Sequence, residues 1–130
     1  MGNKQFIMQM ENIQMDLKQK RCRTYRFLPA YILLFLAEND LYGSAILNEF
    51  HKKIPTYNVD SAIIYRTLQE LEKDAYLSSY WKTEEPGPAT KWYKVTESGF
   101  GRLAEYKGEV EQRKKNLEFF LGTYQSLNRS

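Results

Sequence analysis

Residues that do chemistry are scarce in this chain, which has one cysteine, Cys22, and one histidine, His51. A single thiol cannot close an internal disulfide, and one Cys with one His cannot complete a tetrahedral zinc site. Poverty in cysteine suits a reducing, cytoplasmic setting. With no Gly-rich phosphate loop either, the chain has no material for a catalytic triad or a cofactor cradle, so neither enzyme activity nor a metal or cofactor is expected. Long apolar runs are also missing. The longest, Tyr31 to Ala37, is too short to span a bilayer, and no charged-then-apolar leader precedes it. The expectation is a protein that is neither membrane-bound nor exported. Repeats and low-complexity tracts are absent, and the one obvious loop is Glu84-Glu85-Pro86-Gly87-Pro88-Ala89.

What the chain does contain is apolar and aromatic patterning. At 130 residues and 42% hydrophobic it suffices for one domain with a modest core and some appended helix. An aromatic content of 15%, including 10 Tyr, suits small cores and interfaces, because each ring buries a large area with few torsions. The net charge of +3 is mild, but Lys18, Lys20, Arg21, Arg23 and Arg26 crowd one acid-free stretch. Such a stretch is either a basic arm for phosphates or a solvated linker.

From about Lys4 to Lys20, Phe6, Met10, Ile13 and Leu17 recur at helical spacing. The stripe predicts an amphipathic helix too short to stand alone, docked on the body or on a second copy. A second helix is predicted from Arg26 or Pro29 to Glu38, with Leu28, Ile32, Phe35 and Leu36 on one face and Asn39-Asp40 as its turn. A third runs from Gly43 or Ser44 to Lys53, capped by Ser44, presenting Ile46, Leu47 and Phe50 inward and stopped by Pro55. The short turn between these two is of the kind that sets helices at a helix-turn-helix angle.

A fourth helix, capped by Asn58 or Asp60, carries Ile64, Leu68, Leu71 and Ala75 on its core face and Ala62, Arg66, Gln69 and Lys73 opposite, with Asn58 and Tyr65 at the flank. An outward face of this kind is the ordinary solvated side of a helix, and it also matches DNA. Asn and Gln read adenine, Arg reads guanine, Tyr reaches phosphate, and a small Ala62 beside Ser61 admits close backbone approach. Glu70, Glu72 and Asp74 would be repelled by phosphate, so the N-terminal half is the half expected in a groove.

The alternating run Leu77 to Lys82 and its counterpart Lys91 to Val95 predict a hairpin packed on the helices, with Tyr93 and Val95 inward. Lys82, Thr90, Lys91 and Lys94 are its candidate phosphate contacts. Trp81 and Trp92 are expected to form a cross-strand pair that holds it together. After Thr96, Leu103, Tyr106, Val110, Leu117, Phe120 and Tyr124 lie on a heptad-like stripe interrupted by Arg113. One small domain has too little surface to bury so long a stripe, which makes self-association, with Phe6 to Leu17 as a partner surface, the economical solution. A helix folded back on its own core is the other.

The strings Leu36-Ala37-Glu38-Asn39-Asp40-Leu41-Tyr42-Gly43, Ile64-Tyr65-Arg66-Thr67-Leu68 with Leu71-Glu72-Lys73-Asp74, and Gly87-Pro88-Ala89-Thr90-Lys91-Trp92-Tyr93-Lys94-Val95-Thr96-Glu97-Ser98-Gly99 together resemble the PadR family of winged-helix transcriptional regulators. The likeness covers roughly residues 28–106. It implies a fold that is mainly α with a small β-hairpin (α+β), a winged helix-turn-helix with an N-terminal helix and a long C-terminal dimerisation helix. It further implies a homodimeric repressor that binds double-stranded DNA at a pseudo-palindromic operator, with residues 60–74 as the recognition helix. A small aromatic effector near the dimer interface, beside Phe119, Phe120 and Tyr124, is also implied. The corresponding division is 1–25 for the N-terminal helix and basic arm, 26–96 for the DNA-binding domain and 97–130 for the dimerisation helix. The chain departs from the family pattern at Ser44, where an aromatic is usual, and at Ala62 and Ala75, where Gly is frequent. A left-handed Ala75 costs about 1 kcal/mol relative to Gly. A winged-helix adaptor that binds protein instead of DNA is the alternative reading.

Overall fold

A computed structural model describes residues 26–83 and 87–127, so the expected N-terminal helix, the basic residues Arg21 and Arg23, and the stripe Phe6, Met10, Ile13 and Leu17 lie outside the described residues. Among those described, the order is α1 (Leu28–Glu38), β1 (Leu41–Tyr42), α2 (Gly43–Lys53), α3 (Ser61–Lys73), β2 (Leu77–Thr83), β3 (Ala89–Val95) and α4 (Glu97–Ser126).

The centre of the molecule is α1, which opens with Pro29 in its first turn, where the missing N–H costs nothing. Leu28, Ile32 and Leu33 are essentially inaccessible, because α2, α3, β3 and α4 all pack around this helix. A ring cluster extends the core at one end. Phe50 of α2 stands edge-on to Phe35, with centroids 5.0 Å apart, and stacks on Tyr57 at 5.7 Å. Helix α2 packs more extensively on α3 than on α1. The seven-residue connection 54–60 tucks Val59 into the core and turns the chain so that α3 crosses α2. Ser44 does not cap α2. The N-cap is Tyr42, with no side-chain bond, because Leu41 and Tyr42 are held extended by pairing with Tyr93 and Trp92 of β3.

That pairing adds a third strand to the predicted hairpin, giving an antiparallel sheet of order β1-β3-β2. The inward positions are those expected from alternation, with Leu77, Tyr93 and Val95 buried.

Helix α3 ends in a Schellman motif, the Tyr76 amide bonding to the Leu71 carbonyl at 2.9 Å and the Ala75 amide to the Glu72 carbonyl at 3.0 Å. The motif requires a left-handed residue, and Ala75 adopts φ 65°. Its carbonyl accepts from the hydroxyls of Thr96 (2.6 Å) and Ser98 (2.8 Å) at the start of α4. Thr96 also caps α4, its oxygen accepting from the Gly99 amide at 3.0 Å. Gly99 is obligatory, since a Cβ there would collide with the Tyr76 carbonyl oxygen and the Val95 side chain. Because only glycine occupies the left-handed region without a Cβ penalty, Ala75→Gly is expected to stabilise the protein by about 1 kcal/mol. Chemical denaturation, read as the midpoint at unchanged slope, measures it.

Candidate nucleic-acid interface

Helix α3 is built with two unlike faces. Ile64, Thr67, Leu68 and Leu71 are buried, and the Thr67 hydroxyl donates to the Ile63 carbonyl at 2.8 Å, so the one polar core residue is satisfied. Asp60 caps the helix, accepting from the Ile63 amide at 2.9 Å. Opposite the core, Asn58, Ser61, Ala62, Tyr65, Arg66 and Gln69 are all exposed, so the predicted reading residues share one solvent-facing side. Tyr65 is the one among them whose ring lies against the body. It rests on Gly43, where a Cβ would stand 2.5 Å from the ring, and so the glycine that starts α2 sets the place of this side chain.

The hairpin register divides the predicted wing residues between two faces. Ser78 pairs with Lys94, Tyr80 with Trp92 and Lys82 with Thr90, while Leu77 pairs with Val95, Ser79 with Tyr93 and Trp81 with Lys91. Lys82, Thr90 and Lys94 therefore stand on the face away from α3. There Lys82 Nζ lies 4.9 Å above the Trp92 ring, Trp92 meets Tyr42 edge-on at 5.1 Å, and the Tyr80 hydroxyl donates to Asp40 at 2.8 Å. The expected Trp81–Trp92 pair does not form. Alternation puts the two indoles on opposite faces, Trp92 against Tyr42 and Trp81 on the α3 side, 70% exposed. Trp81 is thus an exposed aromatic beside α3, which a pairing rule applied to two tryptophans does not find.

Lys91 also stands on the α3 side, where its ammonium donates to Glu72 at 3.1 Å. The Ser79 hydroxyl donates to the other oxygen of the same carboxylate. The Ser79 bond above all, helped by the bond and charge of Lys91, holds the Glu72 carboxyl below its usual range against an opposing effect of burial that ranks between the two. The Lys91 ammonium is correspondingly held above its usual range, chiefly by the bond to Glu72. Of the three acids at the end of α3, Glu70 and Asp74 are exposed, and Glu72 is turned to the hairpin.

On α4 the predicted apolar stripe divides along its length. Tyr106 is buried and Leu103 partly so, packed on the core, whereas Val110, Leu117, Phe120 and Tyr124 are 44–68% exposed. The helix folds back on its own domain for its first three turns only, and the remainder projects from it. Phe119 is 75% exposed, and Phe120 and Tyr124 are similarly open. An apolar cleft of about 600 Å³ lies between α1 and α4, lined by Phe27, Tyr31, Leu34, Phe100, Leu103 and Val110 among others.

Among the described residues no three His, Cys, Asp or Glu side chains are grouped so as to hold a metal, and no helix is long and apolar enough to cross a membrane.

A three-helix core with a two-stranded wing and an exposed polar face on the helix before the wing defines the winged-helix class. The chain belongs to the transcriptional regulator PadR-like family, whose pattern matches residues 32–105, and members of that family are regulators, not enzymes. It is 27% identical over 95 residues to an uncharacterized protein of Lysinibacillus sphaericus, covering 72% of this chain and 87% of that one. A solved transcriptional regulator from Clostridium thermocellum is 27% identical, with TM-score 0.67 over 78% of this chain and 97% of the other. A solved PadR family regulator from Clostridium difficile R20291 is 25% identical, with TM-score 0.66 over 73% and 98%.

A carboxylate whose folded-state pKa is depressed stabilises the fold above its unfolded-state value and ceases to do so once pH falls through the folded-state value. Glu72→Gln is therefore expected to lower the melting temperature at about pH 7 by a few degrees. The difference from wild type should shrink below the ordinary value of 4.5. Circular-dichroism melts of both proteins across that range measure it.

Proposed function

We propose that this protein is a sequence-specific double-stranded DNA-binding regulator, a homodimeric repressor of a pseudo-palindromic operator, working in the cytoplasm. The observation that carries this reading is the exposed face of α3, where adenine- and guanine-reading side chains stand together with no core duty. Arg66 reads guanine, Asn58 and Gln69 read adenine, Tyr65 meets phosphate, and Ser61 and Ala62 let the helix backbone approach the major groove. Lys82, Thr90 and Lys94 meet the flanking backbone from the wing, and Arg21 and Arg23 belong to a basic arm. The functional division is 1–25, 26–96 and 97–130.

The projecting part of α4 supports dimerisation. Val110, Leu117, Phe120 and Tyr124 form an exposed stripe continuous with the packed Leu103 and Tyr106, and a second copy, with Phe6, Met10, Ile13 and Leu17, covers it. Two-fold symmetry then sets the recognition helices about 34–36 Å apart, one turn of DNA, and doubles the contacts available to a small domain. The apolar cleft between α1 and α4 is of a size and lining that suits a small aromatic effector.

Arg66→Ala is expected to leave the melting temperature unchanged and to reduce discrimination between the correct duplex and a random one by about 1–3 kcal/mol. Fluorescence anisotropy with the DNA upstream of the protein's own gene and with random duplex, over a salt series, measures both quantities. Equal, weak, salt-insensitive binding to the two duplexes would favour the protein-binding adaptor instead, a use to which the exposed Glu70 and Asp74 are suited. The double variant Phe120→Glu, Tyr124→Glu is expected to sediment as a folded monomer at concentrations where the wild type is a dimer. Unchanged sedimentation would count against α4 as the dimer seam.

A further inference from the structure

Glu72 is placed where no DNA-contacting role suits it, yet it is the most densely bonded acid of α3. One carboxylate oxygen accepts from Ser79 of β2 and the other from Lys91 of β3 at 3.1 Å. A single side chain of the recognition helix therefore grips both strands of the wing. The Ser79 end of the grip is level with the core anchor Tyr93, and the Lys91 end lies two residues farther out, level with Trp81, where Trp81, Lys82, Ala89 and Thr90 are exposed. Leverage comes from the Lys91 end, because a tie placed outside the hairpin's buried base constrains the outer strands more strongly than one within it. On the other face Tyr80 holds Asp40, next to β1, so the latch on the α3 side is opposed by a second bond and the wing is fixed between the two. The Lys91 charge is engaged within the protein, its ammonium also lying 5.3 Å from the Tyr93 ring. Lys91 so engaged acts on DNA through wing position and not as a phosphate ligand.

We infer that Glu72 is a positioning residue for DNA recognition, latching Ser79 and Lys91 so that the wing meets the flanking backbone in the register set by α3. This rests on the DNA reading proposed above.

The sign of one substitution separates the latch from simple electrostatics. An acid near DNA repels phosphate, so removing it should tighten binding if Glu72 acts by charge and if Lys91, once freed, becomes a phosphate ligand. Removing a latch should loosen it. Glu72→Ala and Lys91→Met are each expected to weaken binding to the upstream duplex by about tenfold, the order set by losing a charge-assisted contact or two at the wing. The double variant should be no weaker than either single one, since both break the same device. Glu72→Gln, which keeps an acceptor for Ser79, should fall between wild type and Glu72→Ala. Hydroxyl-radical footprints on the bound duplex separate the latch from lost folding, which would fade every protected patch alike. The outer protected patches should vanish in Glu72→Ala and Lys91→Met while those beneath α3 persist.

Tighter binding by Glu72→Ala, additive losses in the double variant, or uniform fading of the whole footprint would each overturn the inference while the wild type still bound its duplex. Failure of the wild type to bind duplex at all would instead overturn the DNA reading, and the latch's role with it.

Discussion

The fold depends on one crowded junction, where the last turn of α3, the first residue of the wing and the first turn of α4 meet around the peptide of Ala75 and Tyr76. The left-handed Ala75 closes α3 and sends its carbonyl to the hydroxyls of Thr96 and Ser98. The Tyr76 carbonyl accepts from the Thr96 amide at 3.1 Å. Gly99 admits that approach because it has no Cβ. Backbone groups left over at a helix end must find partners when they are sheltered, and here one short segment, 96–99, supplies them. Helix α3, the wing and α4 thus share an origin, and none can be reoriented without breaking bonds belonging to the other two.

Electrostatics follow the same economy. The acids at the end of α3 stand beside a basic hairpin, and the pairing of Glu72 with Lys91 removes one charge of each sign from the surface near the reading face. Exposed ion pairs such as Lys107–Glu111 and Lys114–Glu118 on α4 add a few tenths of a kilocalorie each at most. Glu72 and Lys91 are only about one-third exposed and join separate elements, so their bond constrains geometry in a way that pairs within one helix cannot.

Periodicity made the helices and the inward residues of the hairpin legible, because burial of Ile64, Leu68 and Leu71, or of Tyr93 and Val95, is a property of local spacing. The positive φ at Ala75 was legible from the family resemblance, which has Gly frequently at that position. What escaped depended on register between distant segments. Two residues, Leu41 and Tyr42, carry no strand signal of their own and become a strand only because β3 offers them an edge. The separation of Trp81 from Trp92 follows from a pairing that puts Tyr80, not Trp81, opposite Trp92. The pairing of Lys91 with Glu72 likewise joins residues 19 positions apart and has no local signal. The reading face of α3 was legible as a set of exposed side chains, and its partner was suggested by the kinds of residue present.

That face has a bearing on how such a protein changes over generations. Asn58, Ala62, Arg66 and Gln69 are exposed and packed against nothing in the core, so exchanging them places no demand on folding. Tyr65 is the exception, tied to Gly43. If α3 reads DNA as proposed, a lineage built on this scaffold can therefore move from one target to another through substitutions that are nearly neutral for the fold. The pair Gly43 and Tyr65, which must change together, would be the slowest part of the face to drift.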